Sequence, residues 1–133
     1  MNMYRKGRAT PGPVHDLAAF QARAAAGDFS PMVSSALEPV TRVYECTKRE
    51  AYRAIQRIVC ALTPQHYVQS IIMSNGVPAD EYGIVIEDNG WYVKLQINGD
   101  DGDAEVCSCH PPERDLRTKG GVVPASDHNW RES

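Results

Sequence analysis

Three side chains in the second half of this chain have types and spacing suited to phosphate or nucleobase chemistry. From Trp91 to Ile97, the apolar residues Trp91, Val93, Leu95 and Ile97 alternate with Tyr92, Lys94 and Gln96. A strand with this pattern turns its apolar set toward a core. Its other face carries a phenol, an ammonium and an amide about 7 Å apart. A phenol beside a cation on a rigid sheet can hold a phosphate or a base. The stretch Ala104–His110 reads as a neighbouring strand. It ends in an imidazole whose pKa near neutrality equips it as a general acid or base on the same face. Each residue also has a plainer reading: Tyr92 as a half-exposed strand tyrosine, His110 as an exposed strand-end histidine.

Other candidates are weaker. Cys107, Cys109 and His110 form part of a metal-ligand pattern, but zinc takes four ligands. Cys46, His15, His66 and His128 show no paired spacing to complete it. The expectation is no metal and no cofactor, with Cys107 and Cys109 sharing the core side of an end strand. Cys60 falls in an apolar helical pattern and reads as a small core residue. A nucleophilic cysteine needs a base and an electropositive setting, which nothing around these cysteines suggests. Asp100, Asp101 and Asp103 with Gly99 and Gly102 are too short a run for a calcium loop and read as a solvated turn. Arg49, Arg53 and Arg57 make a helical stripe that fits either a phosphate or acidic partner or a solvated face. His66 and Tyr67 read mainly as packing residues at a helix start.

The elements that must position these groups follow from periodicity. Asp16 caps a helix bearing Leu17, Phe20 and Ala24, with Gly27 as its stop. Ser30-Pro31 looks like the start of a second helix, ended by Pro39. Thr47-Lys48-Arg49-Glu50 is a capping box. It opens the strongest helix, with Ala51, Tyr52, Ile55, Ile58, Val59 and Leu62 on one side. Thr63-Pro64 suggests a shorter helix carrying Tyr67, Val68, Ile71 and Ile72. The period then changes to two. Strands are expected over Asp80–Glu87, Trp91–Asn98 and Ala104–His110, the first pair joined by an Asp88-Asn89-Gly90 turn. The expected fold is α+β, with N-terminal helices packed on one face of a three-stranded antiparallel sheet.

At 133 residues the chain suits one domain over residues 14–112. Residues 1–13 read as a flexible basic arm and 113–133 as an extension that is partly ordered at best. No apolar run approaches the roughly 18 residues of a membrane span. No apolar segment follows the basic start, so a cytoplasmic location and reduced thiols are expected. Net charge is −3, unevenly spread. Residues 63–110 hold one Lys against eight Asp/Glu, and residues 1–62 hold nine Lys/Arg against five Asp/Glu. An acidic sheet half offers little attraction to phosphate.

These residues, taken in order, resemble the motility quorum-sensing regulator toxin family, small bacterial toxins of type II toxin–antitoxin modules. The resemblance runs from about Pro13 to His110. It rests on Pro13-Val14-His15-Asp16-Leu17 with Phe20, Ser35-Ala36-Leu37, Leu62-Thr63-Pro64 with Tyr67, Ser70, Asp80-Glu81-Tyr82, Tyr92-Val93-Lys94 and Val106-Cys107-Ser108. It implies a RelE-like fold and a metal-independent endoribonuclease that cleaves mRNA and is neutralised by a cognate antitoxin. The family's functional tyrosine falls on Tyr92. Family lysines are replaced by Gln69 and His110, and a family glutamine by Ala79. On this reading Tyr92, Lys94 and His110 are the catalytic face, while Gln69, Ser70 and Tyr67 bind substrate. The alternative is a non-catalytic module on the same fold that binds another protein through its acidic strands and C-terminal basic residues.

Overall fold

The computed structural model describes residues 9–99 and 101–131. Most of the expected basic arm, residues 1–8, and Asp100 of the acidic turn lie outside the described residues. In chain order the elements are β1 (Ala9–Thr10), α1 (Leu17–Ala25), β2 (Ser30–Pro31), α2 (Glu38–Tyr44), α3 (Lys48–Ala61), β3 (Tyr67–Ile72), β4 (Pro78–Ile86), β5 (Asn89–Ile97), β6 (Ala104–His110), β7 (Leu116–Thr118) and β8 (Gly121–Val123). A π-helical turn, Val33–Leu37, leads into α2. Among the described residues no helix is long and apolar enough to cross a membrane.

The helix ends follow local chemistry. The Asp16 carboxylate accepts from the Ala19 N–H at the start of α1, and Gly27 takes φ 75° just past its end. Thr47 and Glu50 cap each other's backbone at the start of α3. Each satisfies a donor that the first helical turn leaves without a partner. The apolar side of α3, Ala51, Ile55, Ile58 and Val59, is buried with Phe20 of α1 against Tyr82, Ile84, Trp91, Val93, Leu95, Val106 and Cys109 of the sheet. Full burial of an aliphatic side chain contributes about 1.5–3 kcal/mol, so this one layer dominates the stability.

The sheet corrects the three-stranded expectation. It has six strands in the order β1-β3-β4-β5-β6-β2, and it is mixed because β2 runs parallel to β6. A separate hairpin pairs β7 with β8. The architecture remains α+β. Three causes account for the difference. Tyr67, Val68, Ile71 and Ile72 have helical spacing, but Val68 is the extra residue of a bulge between the pairs Tyr67↔Tyr82 and Gln69↔Glu81, and Ile71 and Ile72 turn to opposite faces of β3. Thr63-Pro64 does start a helix, but a single 3-10 turn, Pro64–His66, after which the β-branched run goes extended. Strands of two or three residues carry no readable period.

Smaller corrections follow. Ser30-Pro31 is edge strand β2 rather than a helix start, a position proline tolerates. Pro39 opens α2 instead of ending a helix. The β4–β5 turn is Glu87-Asp88, both at positive φ (50° and 69°), and Asn89 pairs with Ile86. Gly90 lies inside β5 for a packing reason. A Cβ there would come within 3.3 Å of Val123 Cγ1 and 3.4 Å of Pro112 Cδ. Cys60 is exposed, on the solvent side of α3.

Candidate functional site

The helices cover one sheet face. On the other, register brings polar residues into two rows. Gln69, Glu81, Lys94 and Ser108 are successive partners across β3, β4, β5 and β6; Gly83, Tyr92 and His110 are partners across β4, β5 and β6. Tyr92, Lys94 and His110 therefore do share a face, and the Tyr92 and His110 rings lie 5.1 Å apart.

His110 reaches this face because β6 carries a bulge. Lys94 pairs with Ser108 and Leu95 with Val106, leaving Cys107 as the extra residue. Ala104 and Val106 precede it in the core and Cys109 follows it there, so His110 turns outward. The bulge also separates the two cysteines expected on one face. Cys109 is a core residue, whereas Cys107 stands outside the core cluster, with Lys94 acting electrostatically on its thiol. Burial pushes the Cys107 thiol up to about 11. Cys107, Cys109 and His110 do not converge. Among the described residues no group of three or more His, Cys, Asp or Glu side chains could hold a metal ion.

The centre of the polar face is a hydrogen-bonded chain. Gln69 Nε2 donates to Glu81 Oε1 at 2.8 Å, and the Tyr92 hydroxyl donates to Glu81 Oε2. Glu81 is only 4% exposed and makes no ion pair with any described residue. Burial, then the Glu81 charge, drive the Tyr92 phenol pKa well above its ordinary value, so its proton is retained. Lys94 is half-buried, and its ammonium makes no hydrogen bond or ion pair with a described residue. Gln96, further along β5, is taken up by the β3–β4 loop: it accepts from Asn75 Nδ2 and donates to the Val77 carbonyl.

The C-terminal segment folds back over this face. Leu116 and Val123 of the β7–β8 hairpin pack on Gly83, where a Cβ would sit 2.9 Å from Leu116 Cδ1. Trp130 stacks on His110 with ring centroids 4.4 Å apart and planes 20° from parallel. Arg131 lies over the Trp130 ring and makes a two-pronged pair with Glu113, while Arg42 Nη1 donates to the Trp130 carbonyl. His110 is left 9% exposed. Its Nδ1 donates to the Pro111 carbonyl at 2.8 Å, which puts the lone pair of the neutral ring on Nε2. Burial holds its pKa below the ordinary histidine value. What remains open is a cavity of ≈ 410 Å³ lined by Tyr92, His110, Glu113, Arg114 and Leu116.

Two expected substrate contacts lie elsewhere. Ser70 Oγ donates to Asp80 Oδ1 at 2.5 Å and lies 2.7 Å from Tyr67 Oη. Asp80 also accepts from the backbone N–H groups of Val14 and His15. A Cβ on Gly12 would come within 2.1 Å of Ser70 Oγ. Ser70 and Tyr67 thus belong to an anchor that fastens the segment before α1 to the sheet, while Gln69 alone of that trio reaches the polar face. The sequence assigns no site role to Glu81, Glu113, Trp130 or Arg131, and Arg114 enters only with Arg117 and Lys119 as a contact of the protein-binding alternative. A signal existed for two of them: Glu81 is a carboxylate inside an apolar strand, and Trp130 is a lone indole in a polar segment.

The chain matches no protein-family model, no curated protein and no solved structure.

Proposed function

We propose that this chain is a metal-independent endoribonuclease of the toxin type, acting on single-stranded RNA such as mRNA in the cytoplasm and restrained by an antitoxin protein. The supporting observation is the cavity in which a neutral imidazole, a protonated phenol and the Arg114 guanidinium meet. His110 Nε2 takes the proton of a ribose 2′-hydroxyl. The 2′-oxygen then bonds to the adjacent phosphorus as the bond to the 5′-oxygen breaks, giving a 2′,3′-cyclic phosphate. The departing oxygen takes a proton from water. Arg114 and Lys94 offset the charge that builds on the phosphate.

The test is cleavage of a single-stranded RNA by purified protein. Removing a general base costs about 10²–10⁴-fold, so His110→Ala should lose at least about a hundredfold, with Tyr92→Phe also impaired. Full activity in both variants refutes the site; no cleavage by soluble wild type refutes the function. One observation favours a non-catalytic protein-binding module instead: Trp130 covers a face of His110. On that reading wild-type protein binds no RNA at low salt and retains a protein partner when Trp130 is changed.

A further inference from the structure

The hydrogen-bond chain across the sheet fixes which way the Tyr92 hydroxyl points. A phenol has one hydrogen. Tyr92 spends it on Glu81 Oε2, inside the sheet face, and Gln69 Nε2 holds the other Glu81 oxygen at 2.8 Å. Only the lone pairs of the Tyr92 oxygen remain for a ligand in the cavity. Phosphate oxygens are acceptors too, so Tyr92 offers them nothing, and phosphate contact falls to Arg114 of the cavity lining, with Lys94 in the next row of the same face. In a sugar–phosphate backbone the one group that can donate to Tyr92 is a ribose 2′-hydroxyl.

We infer that Glu81 sets substrate specificity by making Tyr92 an acceptor-only contact, which reads the 2′-hydroxyl of a ribose next to the one that is cleaved. This rests on the ribonuclease reading above. The scissile 2′-hydroxyl gives its proton to His110, so Tyr92 reads a different ribose. The 5.1 Å between the two rings suits adjacent nucleotides. The substrate class is then a run of at least two ribonucleotides, and a single ribonucleotide set in DNA is a poor substrate. Glu81 touches no substrate; it is a positioning residue acting through Tyr92.

The experiment compares kcat/KM for oligonucleotides with one cleavable ribose whose neighbours on both sides carry 2′-hydroxyl, 2′-hydrogen or 2′-fluorine. Fluorine accepts weakly and cannot donate. Wild type should cleave the 2′-hydroxyl form several-fold better, up to about tenfold for one hydrogen bond, and treat the other two alike. Glu81→Gln can turn an N–H toward Tyr92 and free the phenol hydrogen, so the preference should collapse toward one. A purely structural Glu81 would lower all three rates together and leave their ratio unchanged. The inference is overturned if wild type accepts 2′-fluorine as well as 2′-hydroxyl, or if folded Glu81→Gln keeps the wild-type ratio. The wild-type series decides the matter even where the variant does not fold. Cleavage of none of the three, including an all-ribose control, overturns the ribonuclease reading and this inference with it.

Discussion

Asp80 is the residue whose removal should cost most outside the apolar core. It is 1% exposed and accepts four hydrogen bonds at 3.2 Å or less, from the Val14 N–H (bifurcated), the His15 N–H and Ser70 Oγ. Hydrogen bonds to a charged group contribute about 1.5–3 kcal/mol each, and a buried donor left without a partner costs about 1–3 kcal/mol. Val14 is exposed and His15 half-buried, so water can replace part of what their N–H groups lose; Ser70 is fully buried and has only Tyr67 left. Asp80→Ala should therefore destabilise by about 3–5 kcal/mol. Asp80→Asn, which turns an amide donor toward N–H donors, should cost about 2 kcal/mol. With a urea slope of about 1.5 kcal/mol per M, Asp80→Ala lowers the unfolding midpoint by about 2–3 M. Ser70→Ala should cost about 1 kcal/mol alone and less on top of Asp80→Ala, because the two share one network. It should leave RNA cleavage unchanged. Asp80→Asn within about 0.5 kcal/mol of wild type, the range of an ordinary surface change, would refute the anchor. A loss of cleavage in folded Ser70→Ala would return that residue to the substrate.

Four further outcomes are expected. Burial depresses the folded pKa of His110, so between that value and the ordinary one near 6.5 the unfolded chain binds more protons; stability should rise with pH across this window and be lost as pH falls through it. In a histidine titration by NMR, Trp130→Ala should move His110 back up toward the ordinary value; no movement would mean the stack is not what buries the ring. Gly83→Ala should cost about 1–3 kcal/mol by overpacking, because its Cβ meets Leu116 and Val123, and hydrogen exchange should quicken in residues 116–123 before the rest of the sheet. Brief alkylation of native protein should modify exposed Cys60 first, with buried Cys107 and Cys109 reacting only on unfolding; early labelling of Cys109 would contradict its place in the core.

How much could be read in advance depended on element length and on bulges. The Thr47–Glu50 capping box, the amphipathic α3 and the strict alternation of Trp91–Ile97 are long or chemically distinctive signals, and each lies where its pattern puts it. β1 and β2 are held by partners distant in sequence, such as Ser70 for Thr10 and Glu105 for Ser30, and β7 and β8, paired only with each other, are three residues long; strands this short carry no readable period. β3 was disguised by one extra residue. At the site, Tyr92, Lys94 and His110 share a face as their spacing suggests. Glu81 and Trp130 leave only a compositional mark in the sequence, and their places in the site come from register and from the return of the C-terminal segment. The latter also brings Arg114 beside an acidic set of strands, which the charge count by segments does not anticipate.

The bulge at Cys107 decides which residues of the last part of β6 face the core. Seven residues in strict alternation would send His110 to the same face as Ala104 and Val106; the extra residue at 107 reverses the sense, so Cys109 is in the core and His110 lies opposite Tyr92. Deleting residue 107 leaves Ser108 opposite Lys94 and His110 opposite Tyr92, so the strand loses its bulge and keeps its site. Straightening the bulge at the present length would instead aim the imidazole at the helices and the Cys109 thiol at the cavity. Related chains can therefore carry the same site with one residue fewer between Leu95's partner and His110, whereas a strand of the present length keeps it only with the bulge.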